Sequence, residues 1–237
     1  MSTITASEIK FIRSLGEKKY RAQSGLFIVE GEKLVAEAMA SGFTVQRVYR
    51  MDEIGEDVMK RITLLSSPSP VLAVVEQRKE APETDFEALS IALDGIRDPG
   101  NLGTILRIAD WFGIDTVFCS PGTVELYNPK VVQATMGAIF REKVIYRDLR
   151  EVCEMFASRG KRIWGTFLEG SDIYSEALSD SGLVVMGSEA DGISAEVGSC
   201  VSDRITIPSF ASGQGSESLN VAVATAITLS EFKRRLR

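Results

Sequence analysis

The chain has 237 residues, 44% apolar and 25% charged, with a formal net charge of −6, which suits one large or two modest globular domains and argues against nonspecific polyanion binding. It contains no histidine, which excludes Ser-His-Asp and Cys-His catalysis, histidine metal sites and the usual general base near neutral pH. Cys119, Cys153 and Cys200 are odd in number, far apart and without metal-like spacing, so neither a disulfide nor a metal site is expected and a reducing compartment is.

The N-terminal stretch MSTITASEIK lacks an apolar signal region, and no apolar run approaches the length of a membrane span, so a cytoplasmic protein is expected. Ile9, Ile12 and Leu15 predict an amphipathic first helix whose other face carries Tyr20 and the basic residues Lys10, Arg13, Lys18, Lys19 and Arg21. That run is either a phosphate-contacting face or solvated helix charge. Leu26 to Gly31 reads as a buried strand, followed by a helix with Leu34 and Ala38 on its inner face and a stop at Gly42. VQRVYR is a second strand, DEIGEDVMKRI a weak helix, and Val71 to Glu76 a third strand. Residues 1–77 thus predict a small α/β domain, and the charged stretch 78–88, with Pro82, a linker.

From residue 89 to 237 strands and helices alternate, which predicts an α/β domain: a mostly parallel sheet with helices on both faces. The first strand, Ser90 to Leu93, empties into a loop of Asp94, Gly95, Asp98, Pro99, Gly100 and Asn101, and then Leu102, Ile105, Ala109 and Phe112 recur at helical spacing. Asn101 stands where an N-cap is favoured. Gly103 lies one turn before Arg107, leaving room for a ligand beside a guanidinium that sits about 140° around the helix from Leu102. TVFCS, KVIY and RIWGTFLEG read as strands and NPKVVQATMGAIF and LREVCEMFASRG as helices, with GLVVMGSEADGIS and the segment from Arg204 to the end completing the series. Ligands in such sheets bind beyond the carboxyl ends of the strands, here the loops after Leu93, Gly187 and Pro208. No GxGxxG after a strand, GxxxxGK[ST] or GxSxG is present. The Gly/Ser-rich stretch Ala211 to Ser218 is either a flexible loop or an anion cradle.

Three segments in order, DPGNLGTILRIADWFGID, VVMGSEADGIS and IPSF…SLNVAVATAI, resemble the three motifs of the SpoU (TrmH-like) class of the SPOUT superfamily, RNA 2′-O-ribose methyltransferases. The basic first helix followed by GLFIVEGEKLVAEAM is similar to the substrate-binding domain of that family. The resemblance implies an RNA-binding domain joined to a catalytic domain with a trefoil knot, S-adenosylmethionine as cofactor, and a homodimer. Carried over by position, it implies cofactor contacts at Gly187, Ile207 and Leu219, with Thr166 as a further candidate, and active-site polar residues at Asn101, Arg107, Glu189, Ser218 and Asn220. Two features depart from the family pattern. The third-motif loop FASGQGSE is longer by about three residues, and Ala222 replaces a common Ser in a small-residue helix with Ala224 and Ala226.

The cofactor's sulfonium methyl is already activated, so the protein need only align it with a ribose hydroxyl and help remove a proton. Without histidine that help falls to Arg107 or Glu189. Arginine stays protonated, so orienting the hydroxyl and stabilising its developing charge is the cheaper role for Arg107, with Glu189 expected to hold Asn101 or Arg107. Because of the extra N-terminal domain, ribosomal RNA is the expected substrate. The alternatives are a tRNA ribose or base methyltransferase of the same superfamily, or a non-catalytic RNA-binding assembly factor.

Overall fold

The computed structural model describes residues 4–78, 84–211 and 217–234. The chain forms two compact units, one of Met1–Glu80 with Glu125–Arg141, the other of Ala81–Val124 with Glu142–Arg237. No helix among the described residues is long and apolar enough to cross a membrane.

The first unit opens with α1 (Ala6–Ser14), capped by Thr5 in a reciprocal box with Glu8 and burying Ile9 and Ile12. The single basic helix expected from the sequence is instead two helices, because the chain turns at Leu15–Glu17 before α2 (Lys18–Ser24). Gly16 sits tightly in that turn: a Cβ there would lie 3.1 Å from Leu64 Cδ2 and 3.2 Å from the Arg13 carbonyl. Arg21, expected among the exposed cations, is only 2% exposed. Its Nη1 donates to the carbonyls of Leu15 and Gly16, both at 2.8 Å, and the rest of the guanidinium faces the Glu125 carboxylate. Arg21 therefore fixes the α1–α2 turn and leaves the surface set.

Strands β1 (Leu26–Glu30), β2 (Val45–Arg50) and β3 (Val71–Glu76) form an antiparallel sheet in the order β1-β3-β2. Between them lie α3 (Glu32–Ala40), α4 (Met51–Ile54) and α5 (Glu56–Ile62). The last two replace the one weak helix expected there, divided at Gly55, whose φ of 86° a helix cannot include. Alternation sorts the sheet's faces: Leu26, Ile28, Leu72 and Val74 join Ile9, Ile12, Leu15, Met59 and Ile62 in one core.

In the second unit β4 (Leu89–Asp94) leads into α6 (Pro99–Phe112) and β5 (Thr116–Cys119). Residues 125–141, with α7 (Pro129–Thr135) and a 3₁₀ turn at Ala138–Phe140, then belong to the first unit. There Tyr127 packs 4.6 Å from the Phe27 ring and Phe140 5.2 Å from that of Phe43. The expected long helix NPKVVQATMGAIF stops early because Met136 and Gly137 both take positive φ. The chain returns as β6 (Lys143–Tyr146), α8 (Leu149–Ala157), β7 (Ile163–Asp172), β8 (Gly182–Gly187), α9 (Ala195–Gly198), β9 (Asp203–Thr206) and α10 (Val221–Arg234).

The six strands run in the order β6-β5-β4-β8-β7-β9, every neighbouring pair parallel. The central strands β4 and β8 are buried along nearly their whole length, as suits a sheet covered on both faces. From β4 the chain moves outward through β5 and β6, then crosses to the far side and inserts β8 beside β4. The order therefore reverses between β4 and β8, where such sheets open a ligand crevice. Asp94 pairs in register with Gly187, so the loops that leave these two strands start side by side.

Candidate active site

The site is assembled on that edge. Asp98, not Asn101, is the N-cap of α6: its carboxylate accepts from the Asn101 amide at 2.8 Å, and Pro99 takes the first helical position. This corrects the expectation for Asn101 and frees its side chain to work between loops. Asn101 Nδ2 donates to Glu189 Oε1 at 2.5 Å, and Asn101 Oδ1 accepts from Asn220 Nδ2 at 2.9 Å. Asn220 Oδ1 in turn accepts from the amides of Ala222 (2.9 Å) and Val223 (3.3 Å) at the start of α10. The order of donors admits one solution. Backbone N–H groups can only donate, so Asn220 turns its oxygen to α10 and its NH₂ to the oxygen of Asn101, whose own NH₂ is left for Glu189.

Glu189 is carried on a tight turn. The amide and carbonyl of Ser188 pair with those of Gly192 at 3.0 and 3.1 Å, and the Asp191 amide donates to Ser188 Oγ. Gly187 must be glycine there, because a Cβ would come within 2.2 Å of Gly192 C and Ile193 N. Asp94 Oδ2 accepts from the Ser194 amide at 2.8 Å, tying the same loop to the end of β4. Gly103 is buried on the inner face of α6 with Leu102, Ile105, Leu106 and Ala109. Arg107, one turn further along the helix, is exposed.

Asn101, Glu189 and Asn220 thus meet in one hydrogen-bonded chain, whereas Arg107 and Ser218 stand outside it, both exposed. Part of the long third-motif loop, residues 212–216, lies outside the described residues. Of the candidate cofactor contacts, Gly187 and Ile207 are half-buried and Leu219 is 49% exposed. The Thr166 hydroxyl donates to the Val185 carbonyl at 3.1 Å, so it is engaged within the sheet. Two large side chains that sequence reasoning passed over, Leu168 and Phe210, are 75% and 87% exposed. Leu168 lies in the exposed C-terminal half of β7 and Phe210 follows β9, and apolar residues where these strands leave the core were the available signal.

Residues 88–230 match the SpoU rRNA Methylase family, and residues 6–77 the MRM3-like substrate binding domain. The chain belongs to the SpoU rRNA methylase family. It is similar to the 23S rRNA (guanosine(2553)-2′-O)-methyltransferase RlmP of Bacillus subtilis, with 32% identity covering 95% of this chain and 96% of that one. Among solved structures it superposes on the AdoMet-bound rRNA methyltransferase from Sinorhizobium meliloti with a TM-score of 0.89 at 29% identity, covering 100% of this chain and 98% of that one. A structure from Porphyromonas gingivalis assigned to the TrmH family of RNA methyltransferases gives a TM-score of 0.88 at 40% identity, covering 98% and 99%.

Proposed function

We propose that the protein transfers a methyl group from S-adenosylmethionine to a ribose 2′-hydroxyl of ribosomal RNA. The observation that carries this reading is the chain from Glu189 through Asn101 to Asn220, which binds the three motif loops into one rigid polar edge at the switch point of the sheet. The ribosomal substrate is supported by the name of the Bacillus relative and by the match to the substrate binding domain.

The residues present fit the cofactor. Leu168, Phe210 and Leu219 offer open apolar surface suited to an adenosyl group, and the loops after Gly187 and Thr206 offer backbone at the ends of β8 and β9, the two strands that flank β7. When bound, the cofactor supplies an electrophilic methyl group. Asn101 and Asn220 hold the edge of the site through groups that have one orientation each, so no reorganisation is needed as charge develops. Arg107 meets no hydrogen-bond or ion-pair partner among the described residues. It presents a planar cation that can hold a phosphate and the reacting hydroxyl together and stabilise negative charge on the 2′ oxygen.

The same reading includes a knotted catalytic domain and a cytoplasmic location, the latter supported by the three free cysteines. It also includes a twofold dimer: α6 and α10 pack on one another yet leave Trp111 85% and Val223 49% exposed, apolar surface of the kind a second copy covers. Calorimetry on the purified chain should find one site per chain for S-adenosylmethionine or its demethylated product. A folded sample that binds neither would remove the enzymatic reading.

A further inference from the structure

Within the first unit, α1 and α2 display cations and open aromatic rings together. Of the five basic residues from Lys10 to Arg21, Arg21 is buried, and Arg13 donates Nη1 to the carbonyls of Arg61 (3.3 Å) and Thr63 (3.4 Å). Lys10, Lys18 and Lys19 are exposed and, among the described residues, form no ion pair. The nearby Glu8 carboxylate is already matched by Arg47 (2.5 Å) and the Tyr49 hydroxyl (2.7 Å), so Glu17 is the one carboxylate that dilutes this charge between Lys10 and Ser24. Phe11, on the side of α1 turned away from Ile9 and Ile12, is 43% exposed, and Tyr20 is 39% exposed with Lys19 Nζ 5.9 Å from its ring centre.

Lysines alone would suit any nucleic acid, because phosphates are alike in single and double strands. The rings decide between them. A base shows its face to a side chain only when it is unstacked, and aromatic groups beside a positive surface are what unpaired strands bind. The turn between the helices is also held, since Arg21 bonds Leu15 O, Gly16 O and Glu125 at once, so the helices that carry the rings and cations are joined by a fixed connection. We propose that the α1–α2 segment binds unpaired nucleotides of the substrate RNA, with Phe11 and Tyr20 stacking on bases and Lys10, Lys18 and Lys19 facing phosphates. The proposal rests on the reading of the protein as an RNA methyltransferase and adds the structural class of RNA that it engages.

The test compares binding of the full chain to a twelve-nucleotide single-stranded RNA and to the blunt duplex formed with its complement, over a range of salt. The parent chain should prefer the single strand. Phe11→Leu and Tyr20→Leu, at exposed positions, should each weaken single-strand binding at least about fivefold, leave duplex binding and the salt slope as they were, and melt like the parent. Tyr20→Phe should retain parental affinity because the ring is kept. Lys18→Gln with Lys19→Gln should do the opposite of the ring variants, flattening the salt slope for both RNAs alike. Equal affinity of the parent for both RNAs would overturn the proposal, as would ring variants that bind like the parent or lose both RNAs equally. A parent chain that takes up S-adenosylmethionine but binds neither RNA would overturn it too, whereas a chain that binds RNA and no cofactor would strike at the methyltransferase reading instead.

Discussion

Residues that look interchangeable in the motifs do separate work. Asn101 and Asn220 are read in a sequence as two polar loop residues, yet Asn101 joins Glu189 to Asn220, and Asn220 passes the connection into the first turn of α10. Arg107 is different: it is exposed and outside that chain, so substituting it disturbs no packing. Arg107→Lys keeps the charge but loses the planar fork. It should therefore lower methyl transfer by at least about a hundredfold while cofactor affinity and Tm stay close to those of the parent. Near-parental turnover, measured at saturating RNA, would move the role to another group. Which residues belong to the motifs was legible from residue types in order. That Asp98 caps the helix in place of Asn101 was not, because both are good caps and the geometry of the Pro99 turn chooses between them.

At the scale of elements, the sequence pattern located the strands of the first sheet and most of the second, since runs such as Val71–Glu76 and Leu89–Asp94 are buried along nearly their whole length. It misjudged helices where backbone conformation, not hydrophobic pattern, sets the end. Glycines at positions 16 and 55 break two expected helices in the first unit, and Met136 and Gly137 end a third. The Ser188–Gly192 turn shows how such conformations order the candidate site, because it presents Glu189 to Asn101 while Gly187 stays bare against Gly192 and Ile193. Gly187→Ala should push this turn away. We expect loss of methyl transfer and weaker cofactor binding with β8 and its neighbours still formed, which hydrogen exchange of the Leu183–Met186 amides can follow. Full activity in that variant would show that the turn tolerates displacement.

Across the whole chain, the sequence shows where one sheet ends and another begins, but nothing local marks residues 125–141 as part of the first unit. Their membership rests on tertiary contacts, chiefly Arg21 with Glu125, Phe27 with Tyr127 and Phe43 with Phe140. Assembly is equally a property of surfaces: with Trp111 and Val223 open on α6 and α10, sedimentation at micromolar concentration should give twice the chain mass. Trp111→Glu should shift it towards the monomer, while a parent chain that sediments as a monomer would contradict the dimer. The central claim is tested most directly by the position of the transferred methyl. Ribosomal RNA from cells lacking the gene, incubated with the protein and methyl-labelled S-adenosylmethionine and then hydrolysed in alkali, should carry its label in an alkali-resistant dinucleotide, as blocking of one ribose 2′-oxygen requires. Label in a free base-modified nucleotide, or no label from a chain that binds the cofactor, would contradict it.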